Sequence, residues 1–494
     1  MHAGKFWEQS RSEGVLPLKD SRISSWKCPP MTCFMMQQGV FLVLLTLLSL
    51  PVHVHASEQA PVHAKTYSEP VSFDWRNLIH RSQLAGLHVF EGDHLVLITD
   101  RPRRVGDDME KLPEIFDEAV NVWADYYSIP LSVVSDWKVC GCLIVDRERF
   151  REAGLLPDAI PDFTNGYCDH YRFWFVDQSN PAYRRHLMLH EGVHAFTTTL
   201  LNMSAPTWYT EGIAEWLATH RLMQDTETYE HTPIPSSSND VEQLGRIEMI
   251  HRLYNAGGAT GIQEVFKLRP TRHGTIDSYA LAWSVVAFLT THPRYQEAFV
   301  AMEQNPFDKR MTHRLTTHAG WNPTVVSRDF NAFISEIDYG YDTDSMIIDW
   351  SQGDLVPDEG VASSVAADRG WQNPGWCLEA GQHYRLQATG LCTVGAIQEG
   401  DGQLELKSTA DGISIDWYRG KPLGRLLAAQ WVNKGSKSRF ELTGEGAEID
   451  FIARRSGPLF LKINNPPGQL RECRGAIRVQ IVHDESVELS PSEK

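Results

Sequence analysis

The sequence predicts an α+β domain over residues 70–345, a linker over 346–370, an all-β sandwich over 371–485 and a short tail, 486–494. Three observations predict this. Strand-like apolar runs precede a set of long helical patterns. Those helices surround the segment His190-Glu191-Gly192-Val193-His194. From Trp371 onward the chain changes to short alternating runs separated by turn residues, the spacing of a sandwich.

Residues 40–50 form an apolar core of eleven residues, well short of the ~20 that a membrane span needs. Pro51 and Val54-His55-Ala56 follow, an A-x-A-like cleavage site. Residues 1–56 are therefore expected to be an export signal region cleaved after Ala56, with an uncleaved anchor as the alternative. No later run resembles a membrane span, so a secreted or periplasmic mature chain is expected. Of eight cysteines, Cys28 and Cys33 would leave with the signal. Six remain, an even number that permits disulfides in an oxidising compartment. The expected bridges join Cys168 to Cys140 or Cys142, and two of Cys377, Cys392 and Cys473.

Within the first domain, Leu95–Thr99 and 139–145 read as strands and 111–126 as a helix. Asn180-Pro181 is an N-cap followed by proline at the first helical position. From there 182–201 contains no glycine or proline except Gly192, and Asn202 and Pro206 mark the break. A second helix is expected over 207–222, and further helices over 279–289 and 296–302.

The two histidines of the first long helix are four apart and lie on one face, so both imidazoles reach a single metal ion. Glu191, next to the first histidine, can point its carboxylate at a metal-bound water. This HExxH arrangement is the pattern of zinc-assisted hydrolysis. Sixteen residues separate His194 from Glu211, enough to end one helix and bring back a carboxylate from the next. The result would be a His190–His194–Glu211 site for one Zn2+ with its fourth position open. Glu215 shares a face with Glu211 and would accept the outward N–H of a ligand histidine. His186 and His220 are expected at the surface or behind the ligands.

These residues carry a resemblance. The HEGVH segment at 190–194 and Trp208-Tyr209-Thr210-Glu211-Gly212-Ile213-Ala214-Glu215-Trp216 resemble gluzincin metallopeptidases of the peptidase MA-like kind, over roughly residues 75–340. The resemblance implies a zincin-like fold, Glu211 as third ligand and Glu215 in support of a ligand histidine. The His194–Glu211 spacing is slightly shorter than in the best-known gluzincins, which keeps Glu215 open as the ligand instead. The segment from Trp137-Lys138-Val139 to Phe150 is similar to the strand and following stretch that precede the zinc helix. Ser278-Tyr279-Ala280-Leu281-Ala282-Trp283 is similar to the helix that bears a transition-state tyrosine. Tyr279 is thus a candidate oxyanion donor, and otherwise a helix tyrosine packing beside Trp283.

The C-terminal part carries a second resemblance. Gly381-Gln382-His383-Tyr384-Arg385-Leu386, Gly420-Lys421-Pro422-Leu423-Gly424-Arg425-Leu426-Leu427 and Gly457-Pro458-Leu459-Phe460-Leu461-Lys462-Ile463-Asn464-Asn465 resemble bacterial galactophilic-lectin-like sandwiches. Those lectins hold Ca2+ through paired Asn and Asp residues. Here the positions read Asn464-Asn465 and Glu472-Cys473-Arg474, and calcium favours several carboxylates. An accessory sandwich of lost or altered sugar specificity is the expectation.

The net charge of −17, without a clustered basic face, argues against nucleic acid as a partner. The reading is an exported zinc metallopeptidase acting on peptide or protein, with a possible glycan partner at the sandwich. A secreted glycan- or protein-binding protein with an inactive zincin domain is the alternative, and a zinc hydrolase of non-peptide amides is a third.

Overall fold

The computed structural model describes residues 73–104, 108–223, 228–241, 245–257, 261–269, 276–399 and 402–483. The expected signal region 1–56, with Cys28 and Cys33, and the tail 486–494 lie outside the described residues. All described residues belong to one compact unit, Pro61–Lys494.

The first part is built on a five-stranded sheet. Its strands are β1 (His88–Glu91), β2 (Leu95–Thr99), β3 (Val139–Ile144), β4 (Gly166–Asp169) and β5 (Arg172–Val176), in the order β1-β2-β3-β5-β4. The central β2, β3 and β5 are parallel, and the edges β1 and β4 run antiparallel to them. Every residue of β2 and β3 is buried. Their near-continuous apolar sequences suit strands covered on both faces. On one face lie the helices Leu112–Tyr126 and Pro181–Leu200, with Phe116, Trp123, Trp137, Val193 and Phe196 in a shared core. On the other face Phe150, Leu155, Leu156 and Phe163 pack on Cys140, Cys142 and Trp174.

Helices dominate from Pro181 onward. Asn180 Oδ1 accepts from the N–H groups of Ala182 and Tyr183, and Pro181 opens the helix. After Leu200 the chain turns through Asn202, whose φ is +48°. The next helix, Thr207–Ala218, ends sooner than the expected 222. Thr219 goes extended, its hydroxyl donates back to Glu215 O at 2.7 Å, and His220–Leu222 pairs with Tyr229–His231 as a small hairpin. Gly212 lies against the helix Ile276–Thr291, where an added Cβ would meet Val286 Cγ2 at 2.7 Å. That close approach brings the two helices together.

The C-terminal part is β-rich. One sheet orders Asp411–Tyr418, Lys421–Val432, Gly457–Ile463, Trp376–Leu378 and Asp354–Leu355, with Arg439–Glu445 also paired to Lys421–Val432. A second orders Glu448–Ile452, His383–Thr389, Ala476–His483 and Val361–Ala366. Leu386, Val394, Leu426, Leu461, Ile477 and Val479 fill the core they share.

Residues 346–370, expected as a linker, are instead woven into this part. Val361–Ala366 is an edge strand paired with Ala476–His483. Trp350 packs against Trp431 and Phe460. The polar composition there is that of an edge strand with one wet face.

The expected disulfides are absent: all six described cysteines are free. Cys140 and Cys142 are two apart on β3 and face the Phe150 side of the sheet, whereas Cys168 packs against the opposite core. Cysteines on opposite faces of one sheet cannot bridge without backbone movement.

Candidate metal centre

The helix Pro181–Leu200 presents His190 and His194 one turn apart, and Thr207–Ala218 crosses it with Glu211 on the facing side. His190 Nε2 and His194 Nε2 lie 3.1 Å apart. Each lies 3.4 Å from Glu211 Oε2. A tetrahedral zinc with bonds of ~2.0–2.1 Å has ligand atoms about 3.3 Å apart along each edge. The three atoms therefore form one face of such a tetrahedron. His190 is nearly closed off, while the side chains of His194 and Glu211 keep 19% and 27% exposure, so the triangle opens toward solvent on their side.

The electrostatics suit a cation. Burial would raise the Glu211 carboxyl, but the two imidazoles beside it overcome that and hold it at about 2. Burial would lower His190, yet the Glu211 and Glu215 carboxylates raise it to about 10. Two imidazole nitrogens and a carboxylate oxygen this close need positive charge among them, either a proton or a metal ion.

Glu191 is buried beside the triangle, and burial raises its carboxyl above the ordinary range. Its carboxyl lies against Gly166 of β4. A Cβ added there would meet Glu191 Cγ and Cδ at 2.8 Å. β4 is a sheet edge. Val176 N–H donates to Asn165 O at 2.8 Å, so Tyr167 and Asp169 continue the bonding toward β5. Gly166 and Cys168 turn their N–H and C=O groups to the open side. Nothing in the sequence pattern marks this hairpin, whose strands have only four and five residues.

Glu215 lies behind His190, its Oε1 3.3 Å from His190 Nδ1. His186, expected at the surface or behind the ligands, is buried with Nε2 3.1 Å from Glu215 Oε2. Arg246, which sequence reasoning missed, grips both Glu215 oxygens at 2.7 Å. Burial would raise the Glu215 carboxyl, but Arg246 and His186 hold it well below the ordinary range. Nothing local in the sequence marks Arg246, which meets its partner across 31 positions. His220 is buried away from the triangle, with Nδ1 2.9 Å from Ala218 O, and burial lowers it to about 3.

Tyr279 is half-buried on Ile276–Thr291. Its ring stands edge-on to that of His190 at a centroid distance of 5.6 Å. Burial first, and then the carboxylates of Glu211, Glu191 and Glu215, push its phenol far above its ordinary range, so it stays a proton donor. Trp283, one turn on, is buried and donates to Pro233 O at 3.2 Å.

The suggested calcium positions do other work. Asn464 Nδ2 donates to the carbonyls of Tyr418, Lys421 and Pro422 at 3.0–3.1 Å, clamping a turn. Asn465 is buried, its Nδ2 3.4 Å from Ala367 O. Among the described residues, the two clusters of metal-binding side chains share His190 and lie between the helices Pro181–Leu200 and Thr207–Ala218.

No family model matches the chain, and no curated protein matches it. Solved structures similar to parts of it include the EclA N-terminal domain, a PllA-like lectin. That likeness has 17% identity and a TM-score of 0.18, covering 26% of this chain and all of that one. Another is an IMPa metallopeptidase in complex with T-antigen, with 9% identity and a TM-score of 0.14, covering 52% of this chain and 24% of that one. Both scores are too low to carry an argument about fold or function.

Proposed function

We propose that this chain is an exported zinc-dependent hydrolase that cleaves peptide bonds. The observation that carries the reading is the triangle of His190 Nε2, His194 Nε2 and Glu211 Oε2 with Glu191 beside it. When bound, zinc supplies Lewis acidity and lowers the pKa of a coordinated water toward about 7. His190, His194 and Glu211 would hold it. Glu191 is the base: its carboxylate takes a proton and delivers it to the leaving amine. The Tyr279 phenol donates a hydrogen bond to the developing oxyanion. The open edge at Gly166 and Cys168 favours a peptide, because an extended chain adds there as another strand.

The deciding measurement is zinc content of the full chain, with Glu211→Ala and Glu215→Ala beside it. One zinc per wild-type chain is expected, lost in Glu211→Ala and retained more weakly in Glu215→Ala. A wild type free of zinc after metal-replete purification would overturn the reading.

Gly166 offers a second check. In Gly166→Ala the new methyl group pushes on the Glu191 carboxyl. A displacement of about 1 Å costs on the order of a hundredfold in rate. The expected outcome is that loss in kcat on a fluorogenic peptide at unchanged zinc content. Wild-type kcat would remove Glu191 from the reaction or show that it moves freely.

A further inference from the structure

His190 has two ring nitrogens, and both face carboxylates. Nε2 lies 3.4 Å from Glu211, and Nδ1 lies 3.3 Å from Glu215. The helices Pro181–Leu200 and Thr207–Ala218 therefore frame two overlapping groups of three ligand atoms. One is His190, His194 and Glu211; the other is His186, His190 and Glu215. All three members of the second group are buried. As side chains alone, both groups offer a metal two imidazoles and a carboxylate.

Arg246 distinguishes them. Its Nε bonds Glu215 Oε2 and its Nη2 bonds Glu215 Oε1, both at 2.7 Å. A fork of this kind takes one lone pair on each carboxylate oxygen, sets the plane of the group and leaves each oxygen able to face an imidazole. A fixed positive charge on both oxygens also repels a cation from the inner group. The guanidinium is held from an element that contributes no ligand. Gly245, with φ of +74°, starts the helix Arg246–Asn255. That helix is pinned by His251 Nε2 at 2.6 Å from Ile337 O and by the Tyr339 hydroxyl donating to Glu248 at 2.7 Å.

We infer that Arg246 is a positioning residue for the metal centre: it fixes Glu215 as the acceptor for His190 Nδ1, so that His190 offers Nε2 to the metal. The inference rests on the reading of His190, His194 and Glu211 as the metal-binding triangle. Acting through Glu215, Arg246 should matter only while Glu215 is a carboxylate.

The test is a double-variant cycle read as zinc affinity. The full chain is prepared as wild type, Arg246→Met, Arg246→Lys, Glu215→Gln and the Arg246→Met/Glu215→Gln double variant. Zinc dissociation constants are measured by chelator competition on folded protein. Losing a residue behind a metal ligand typically weakens affinity by about 10–100-fold. Arg246→Met is expected to show that loss, and Arg246→Lys to recover part of it because it keeps the charge without the fork. In the Glu215→Gln background Arg246→Met should cost less than about threefold more, because the two losses are one interaction. If Arg246→Met does not fold, Arg246→Lys with and without Glu215→Gln reads the same coupling. Equal effects in both backgrounds, or an unchanged dissociation constant, would overturn the inference while leaving the metal site in place. A wild type that binds no zinc would overturn the metal reading itself, and this inference with it.

Discussion

Glu191→Gln is expected to lower kcat by about 10²–10⁴-fold, the range for losing a positioned general base. Zinc content and fold should be unchanged. Glu191 lies outside the triangle of ligand atoms, so its loss removes no donor from the metal. Glutamine fills nearly the same volume, which matters because the carboxyl is packed tightly against Gly166. An amide cannot take up the proton that the reaction must move. The interaction lost exists only on the way to the transition state, so KM should change far less than kcat. Steady-state kinetics on a fluorogenic peptide, beside zinc analysis, separate the possibilities. Full activity would exclude Glu191 as the base. Loss of zinc would mean that Glu191 supports the metal rather than the chemistry.

The parts of the site that could be read from the sequence depend on local spacing. His190 and His194 meet because a helix brings residues four apart together, whatever surrounds it. Glu211 and Glu215 share a helix face for the same reason, and Trp208 to Trp216 mark that helix clearly. The spacing alone left open which of the two carboxylates meets both His190 Nε2 and His194 Nε2. The answer depends on how Thr207–Ala218 crosses its neighbour, which Gly212 permits by its contact with Ile276–Thr291. Arg246 was invisible because its role exists only after chain segments far apart in sequence meet. The β4–β5 hairpin was missed because its strands are short and Asp169-His170 reads as loop. Lys421–Val432 does not read as a strand by alternation. It is buried on both faces over much of its length, so it shows no alternation, and it contains Pro422 and Gly424. The expected bridge from Cys168 to Cys140 or Cys142 failed on sheet parity, which a cysteine count does not contain.

Lys462→Met is expected to destabilise the fold by about 3 kcal/mol, the low end for breaking a buried ion pair. Lys462 lies on the β-strand Gly457–Ile463, and Glu336 ends the helix Pro323–Glu336. Their side chains meet at 2.7 Å with 3% and 9% exposure, so the pair joins the helical and β-rich parts through a dry contact. Burial presses the Lys462 ammonium below its ordinary range, and the Glu336 carboxylate pulls against that. Methionine keeps most of the stem and removes the charge, leaving Glu336 buried. Arg419 Nη1 remains 3.5 Å from Glu336 Oε1, which is why the low end is expected. Adding Glu336→Gln to Lys462→Met removes the stranded charge, so the double variant should be more stable than Lys462→Met alone. Urea unfolding followed by both tryptophan fluorescence and far-UV circular dichroism gives the comparison, and coincident transitions justify a single free energy. Neither residue belongs to the triangle of His190, His194 and Glu211, so zinc per folded chain should stay at the wild-type value. A Lys462→Met protein as stable as wild type would show that the charge pair contributes no more than an apolar contact would. A double variant no better than Lys462→Met would place the cost in lost packing around Trp371 and Tyr418, whose rings both lie 5.8 Å from Lys462 Nζ.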